Sequence, residues 1–187
     1  MANRKQDNWI LVGLGNPGKE YERTWHNIGA MFVEHIMSPY GPDWHKERDF
    51  RYLTCEKDQT LPEGTILVIP ASYMNESGPA VRSALKKFNL TKNHLIIAHD
   101  DSDLPLGEVR LEFDRGSAGH NGVRSVIFTL GGQDFWRLRF GIRKENQAQR
   151  VPAGDFVLSV IKPQDYGAVE EAFTAGVNAA AKLIEKA

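Results

Sequence analysis

The hydrophobic positions of this chain fall into short runs separated by polar loops, and their period switches repeatedly between that of a strand and that of a helix. Ile10, Leu11 and Val12 form an apolar run stopped at Gly13, the pattern of a buried strand entering a glycine turn. Ile28, Met31, Phe32 and Ile36 recur at helical spacing and predict a helix over 28–37, closed by Ser38-Pro39-Tyr40-Gly41-Pro42 because proline cannot continue the hydrogen-bond ladder. Residues 50–57 and 66–69 read as a strand pair. Ser77 is placed to cap a second helix, with Pro79 in its first turn and Val81, Ala84, Leu85 and Phe88 as its apolar stripe.

The same alternation continues to the C-terminus. Residues 94–98 (HLIIA) predict another buried strand, 100–107 a polar, proline-containing loop at its end, and 109–113 a further strand with Leu111 and Phe113 inward. The glycine-rich 116–122 leads into a helix bearing Val123, Val126, Ile127 and Leu130, and 135–142 alternates once more. The polar 143–154 stretch is expected to be a mobile loop. Pro163 opens a long helix with Val169, Phe173, Val177, Ala180 and Ile184 on its apolar face. Strands separated by helices predict one α/β domain over 1–187: a mixed, mostly parallel central sheet with helices on both faces and ligand loops at the C-terminal strand ends.

Polar chemistry gathers just after the first strand, where Asn16, Tyr21, Thr24, His26 and Asn27 lie in a loop held by Gly15, Pro17 and Gly18. Gly13-x-Gly15-x-x-Gly18 fits the dinucleotide-binding spacing, but that fingerprint needs a helix opening within the glycines and an acidic residue ending a second strand. Pro17 and the KEYERT segment postpone the helix, and Glu34 falls inside it, so the nucleotide reading is weak.

Composition narrows the classes. An apolar fraction of 41% and a charged fraction of 25% over 187 residues describe a globular domain able to bury a core. The polar N-terminus lacks a secretory signal and no apolar run approaches a membrane span, so a cytoplasmic location without membrane contact is expected. Cys55 is the sole cysteine, which excludes an intrachain disulfide and a thiolate cluster. Asp100, Asp101 and Asp103 allow a Mg²⁺ reading, but no phosphate-binding Lys-Ser/Thr loop accompanies them; no metal is expected, and Asp101 is expected to be exposed. Net charge is −1, so any nucleic-acid contact must rest on a local basic patch, with Arg124, Arg137, Arg139, Arg143 and Lys144 as candidates.

Three ordered blocks carry a family resemblance: GLGNPGKEYERTWHNIG, PASYMNESG, and HDDSDLPLGEVRL followed by GSAGHNGVRS. They resemble the bacterial-type peptidyl-tRNA hydrolases, which cut the ester joining a peptide to tRNA. The resemblance implies a monomer acting on peptidyl-tRNA, with no cofactor and no obligate protein partner. His26 is the best general base among the six histidines, since its pKa class suits proton abstraction from water. The resemblance makes Asp100 the carboxylate that orients it, gives Asn16 and Asn75 substrate positioning, places the water or peptide end on Asn121, and sets Met74 in the pocket wall. Tyr21 is placed against the catalytic loop. His99 is expected to make a structural hydrogen bond.

Two positions depart from the family pattern. Trp25 stands where arginine usually precedes the catalytic histidine, and Glu112 and Asp114 lie where basic residues usually face tRNA. Both changes bear on tRNA affinity. They leave room for an alternative, an RNA-binding member of the fold without catalysis, like the related plastid splicing factors.

Overall fold

A computed structural model describes residues 8–41, 43–144 and 153–186. In chain order its strands are β1 (Ile10–Gly13), β2 (His45–Lys46), β3 (Phe50–Thr54), β4 (Ile66–Pro70), β5 (Leu95–Pro105), β6 (Val109–Phe113) and β7 (Trp136–Arg143). Its helices are α1 (Ile28–Met37), α2 (Ser77–Phe88), α3 (Asn121–Leu130), α4 (Ala153–Val157) and α5 (Tyr166–Lys186). One mixed sheet runs in the order β2-β3-β4-β1-β5-β7-β6. Its four inner strands β4, β1, β5 and β7 are parallel. Antiparallel strands finish both edges.

Strand β1 shows why its sequence is uniformly apolar. Leu11 packs into one core layer with Phe32, Val33 and Phe173 from α1 and α5, while Ile10 and Val12 pack into another with Val81, Val123 and Val126 from α2 and α3. A strand covered on both faces has no solvent side for polar residues. Phe32, Phe140 and Phe173 meet at ring separations of 4.8 to 5.5 Å, fastening α1 and α5 onto β7. Helix α1 sits unusually close to the sheet: a Cβ on Gly29 would lie 2.2 Å from the Ala98 carbonyl oxygen. That backbone-on-backbone seat brings the start of α1 beside the C-terminal half of β5, where Asp100 lies.

Three local expectations change. Residues 100–105 belong to β5, not to a loop, and Asp100 and Asp101 pair in register with Phe140 and Gly141 of β7. Polarity alone argues for a loop; here partners on neighbouring elements satisfy the buried carboxylates, and ladder pairing prevails over local composition. Ser77 does not cap α2. A 3-10 turn, Met74–Glu76, winds directly into the helix, so Ser77 is already helical, with φ −64° and ψ −29°, and its hydroxyl donates back to the Met74 carbonyl. Strand β3 stops at Thr54, because Cys55 turns to bond Thr65 and Gly64. Burial pushes the Cys55 thiol up to about 12, consistent with a packed, unreactive side chain.

On β6, Leu111 packs against the core, whereas Phe113 is 47% exposed and leans on Trp136. The expected mobile loop falls largely on 145–152, which lie outside the described residues. Among the described residues no helix is long and apolar enough to cross a membrane.

Candidate active site

The site forms where the first loop, the start of α2, the middle of β5 and the start of α3 converge. His26 is the centre of a 3-10 turn, Trp25–Asn27, that leads into α1. Its Nδ1–H donates to Asp100 Oδ1 at 2.8 Å, in a buried setting. A carboxylate oxygen only accepts, so the proton of the neutral ring sits on Nδ1 and Nε2 keeps its lone pair. That is the tautomer a general base requires.

Asp100 has a second partner. His120 Nε2–H donates to the same Oδ1 at 2.9 Å. The His120 tautomer is fixed from the other side, because its Nδ1 caps α3 by accepting from the N–H groups of Gly122 and Val123 at 3.1 and 3.3 Å. A ring nitrogen that accepts two backbone N–H groups carries no proton, so the hydrogen lies on Nε2, which presents it to Asp100. The His26 and His120 rings lie 4.7 Å apart. Burial opposes charge on Asp100, but His120 and His26 outweigh it and hold the carboxyl well below the usual range. His26, Asp100 and His120 are close enough to hold a metal ion. His26 Nδ1 and His120 Nε2 donate to the carboxylate and His120 Nδ1 accepts from backbone, so His26 Nε2 is the one ring nitrogen of the group with its lone pair open, and this donor set reads as a hydrogen-bonded network.

His99 supports the network from below. Its Nδ1–H donates to the Asp100 carbonyl at 2.7 Å, the structural hydrogen bond expected for it. Burial first, then the neighbouring His120, pushes its pKa down to about 3, although Asp100 pulls the other way.

A cavity of about 480 Å³ opens in front of His26. Asn16, Met74, Asn75 and Asn121 all line it, so four of the five substrate candidates, drawn from three segments, do meet. Asn16 is held on both sides. Its Oδ1 accepts from the Met74 N–H at 2.8 Å, and its backbone is clasped by the Asn27 side chain through bonds of 2.8 and 2.9 Å. With Oδ1 engaged, the amide nitrogen is the group left to donate. Asn121 Oδ1 accepts from Arg124 at 2.6 Å, and both residues line the cavity. Gly154, Val157 and Leu158 also line it. Tyr21 does not line the cavity; its ring meets Tyr73 edge-on at 6.5 Å.

The basic candidates separate. Arg137 is fully buried, its guanidinium 3.7 Å over the Phe135 ring, and burial lowers its pKa to about 10. Arg139 is buried too: it donates to Asp101 at 2.8 Å and is paired with Glu112. Burial works against the Arg139 charge, but the two carboxylates more than offset it. Asp101 is therefore buried and paired, contrary to the expected exposure, because its register partner on β7 is Gly141 and Arg139, two residues back along that strand, reaches its carboxylate. Arg124 and Arg143 are exposed.

The sequence carries little signal for two contributors. Asn27 stands in the first block, but its role depends on an eleven-residue loop folding back on itself. His120 stands in a polar motif, yet an imidazole is not among the usual capping residues, so nothing local marks its fixed tautomer.

The profile of the peptidyl-tRNA hydrolase family matches residues 10–187. A peptidyl-tRNA hydrolase of Ligilactobacillus salivarius is 39% identical over 176 residues, covering 94% of this chain and 92% of that protein. One from Lawsonia intracellularis is 41% identical over 133 residues, covering 71% of this chain and 66% of the relative. The crystal structure of the peptidyl-tRNA hydrolase from Acinetobacter baumannii superposes with a TM-score of 0.83 at 30% identity, covering 99% of this chain and 92% of that one. With a family match across nearly its whole length and the fold to accompany it, the chain belongs to the peptidyl-tRNA hydrolase family.

Proposed function

We propose that the chain hydrolyses peptidyl-tRNA, releasing the peptide as a free carboxylate and the tRNA with a free 3′-terminal hydroxyl. The observation that carries this reading is the His26–Asp100 bond of 2.8 Å, with His26 at the wall of a cavity lined by three asparagines. His26 Nε2 takes a proton from water while the water oxygen attacks the ester carbonyl carbon. The tetrahedral intermediate then expels the ribose oxygen, which recovers the proton from the imidazolium. Asp100 stabilises that imidazolium and holds the ring's orientation. The Asn16 amide nitrogen is the donor placed for the oxyanion, a contribution of about 3 kcal/mol when well aligned. Asn75 and Asn121 position the peptide, and Met74 packs beside it. The water route needs no metal or organic cofactor.

In the same reading the protein is one domain that works as a cytoplasmic monomer, gripping tRNA through exposed cations such as Arg124 at the cavity and Arg143 at the end of β7. A non-catalytic RNA-binding role is less well supported, because a buried carboxylate with two histidine donors is costly to maintain for binding alone. Hydrolysis of N-acetylaminoacyl-tRNA in H₂¹⁸O tests the proposal. One ¹⁸O in the released carboxylate and an intact tRNA are the expected products. Unlabelled peptide, or no release above the uncatalysed rate, would contradict it.

A further inference from the structure

Trp25 is 1% exposed and lies next to the catalytic histidine, yet none of its atoms lines the cavity. Its indole stacks on Phe156 of α4, with ring centroids 5.9 Å apart and planes 28° off parallel. The Lys144 ammonium lies 5.4 Å from the centre of the same ring and is itself paired with Asp165. The backbone repeats the connection. Trp25 N–H donates to the Ser159 carbonyl at 3.2 Å, Ile161 N–H donates to the Arg23 carbonyl at 2.8 Å, and Thr24 forms an antiparallel bridge with Val160. The two residues between Phe156 and Ser159 are Val157 and Leu158, and both wall the cavity.

From this arrangement we infer that Trp25 and Phe156 are a positioning pair: their stack seats the 156–160 strap against the catalytic turn and so sets the part of the substrate cavity's wall that Val157 and Leu158 form. The inference rests on the proposed function for its kinetic consequence, but the seat itself is independent of it. Trp25 stands where the family pattern has arginine, and its packed ring couples the strap to the His26 turn through an apolar face. Stacked aromatic pairs of this separation add attraction beyond the area they bury. Lys144 contributes a cation over the ring, so positive charge is present beside Trp25 although Trp25 carries none.

Two measurements on Trp25→Ala, Phe156→Ala, the double variant and Trp25→Phe decide the matter. Amide hydrogen exchange of Trp25 or its replacement and of Ile161 reads the seat without any substrate. Both single variants should exchange on the order of tenfold faster, and Trp25→Phe should fall near the parent. Steady-state hydrolysis of peptidyl-tRNA reads the wall. KM should rise on the order of tenfold in either single variant, kcat should stay within about threefold, and the double variant should be no worse than the worse single, as expected of two residues acting as one unit. Phe156→Ala keeps the test valid should Trp25→Ala fold poorly, since Phe156 is only half-buried. Unchanged exchange overturns the pair outright, even if the parent proves inactive. Faster exchange with KM unaltered, or effects on KM that simply add, overturns its role in positioning the wall. A parent that releases no peptide contradicts the proposed function instead and leaves the exchange result to decide the seat.

Discussion

Asp100 Oδ1 receives N–H groups from two histidines that both line the cavity but are used differently, His26 keeping its second ring nitrogen open and His120 using its own to cap α3. Asparagine at 100 could accept one such bond but could not stabilise an imidazolium. Asp100→Asn should therefore lower kcat by roughly a hundredfold or more, with KM within a few-fold, as steady-state kinetics would show. A change confined to KM would make Asp100 a binding group. His99 makes a second prediction, on stability. Its folded pKa is about 3, below that of the unfolded chain, so the unfolded state binds the extra proton as pH falls below about 6.5, and stability declines from there toward pH 3. The depressed Asp100 carboxyl acts in the same direction at still lower pH. Urea midpoints at pH 7.5 and 4.5 should differ less in His99→Asn than in the parent; an equal difference would show that His99 titrates normally. The residue types needed for this site were legible in the sequence, since His26 and Asp100 stand in recognisable blocks. The sharing of one oxygen by two rings was not, because it depends on a 74-residue and a 20-residue separation closing on one point.

Elements were legible where one face alone decides them. Helix α1 matches its predicted span because its apolar stripe and the proline stop agree. Strand β5 runs past its predicted end because the side chains that satisfy Asp100 and Asp101 come from α1's leading turn, the start of α3 and β7, all distant in sequence, with only the Asp103 N–H supplied locally. Gly13, which ends β1, and Gly29 in α1 have a packing role. A Cβ on Gly13 would lie 2.2 Å from the Gly29 carbonyl oxygen, and one on Gly29 would lie 2.2 Å from the Ala98 carbonyl oxygen. Neither oxygen belongs to a side chain that can swing away. Gly29→Ala should therefore cost more than about 2 kcal/mol, and should reduce kcat as well by shifting His26 relative to Asp100. Chemical denaturation and turnover measured together check this; a neutral substitution would mean that α1 is free to lift from the sheet.

At the scale of the whole molecule, a chain of net charge −1 must hold a polyanion through few cations. Much of the basic character near β6 is internally matched, as Arg139 is held by Asp101 and Glu112, and Arg115 lies 3.7 Å from Glu112. Glu112→Lys removes that acid from both arginines. If β6 faces the tRNA, the variant's KM should fall at low salt with kcat nearly unchanged, and the log–log salt slope should steepen by about 0.7 to 0.9 for each additional phosphate neutralised. An unaltered slope would place the tRNA surface elsewhere. The layered sheet and its site loops follow from the hydrophobic pattern, whereas the burial of Arg137 and Arg139 does not, because arginine on a strand reads as a solvent-facing position until its partners are known. Turnover of a defined peptidyl-tRNA by His26→Ala beside the parent, with thermal unfolding of both, tests the central claim most directly. The expected result is a drop in kcat of about a hundredfold or more, with KM within a few-fold and the unfolding temperature nearly unchanged. Hydrolysis within a few-fold of the parent would contradict the role of His26 as the base.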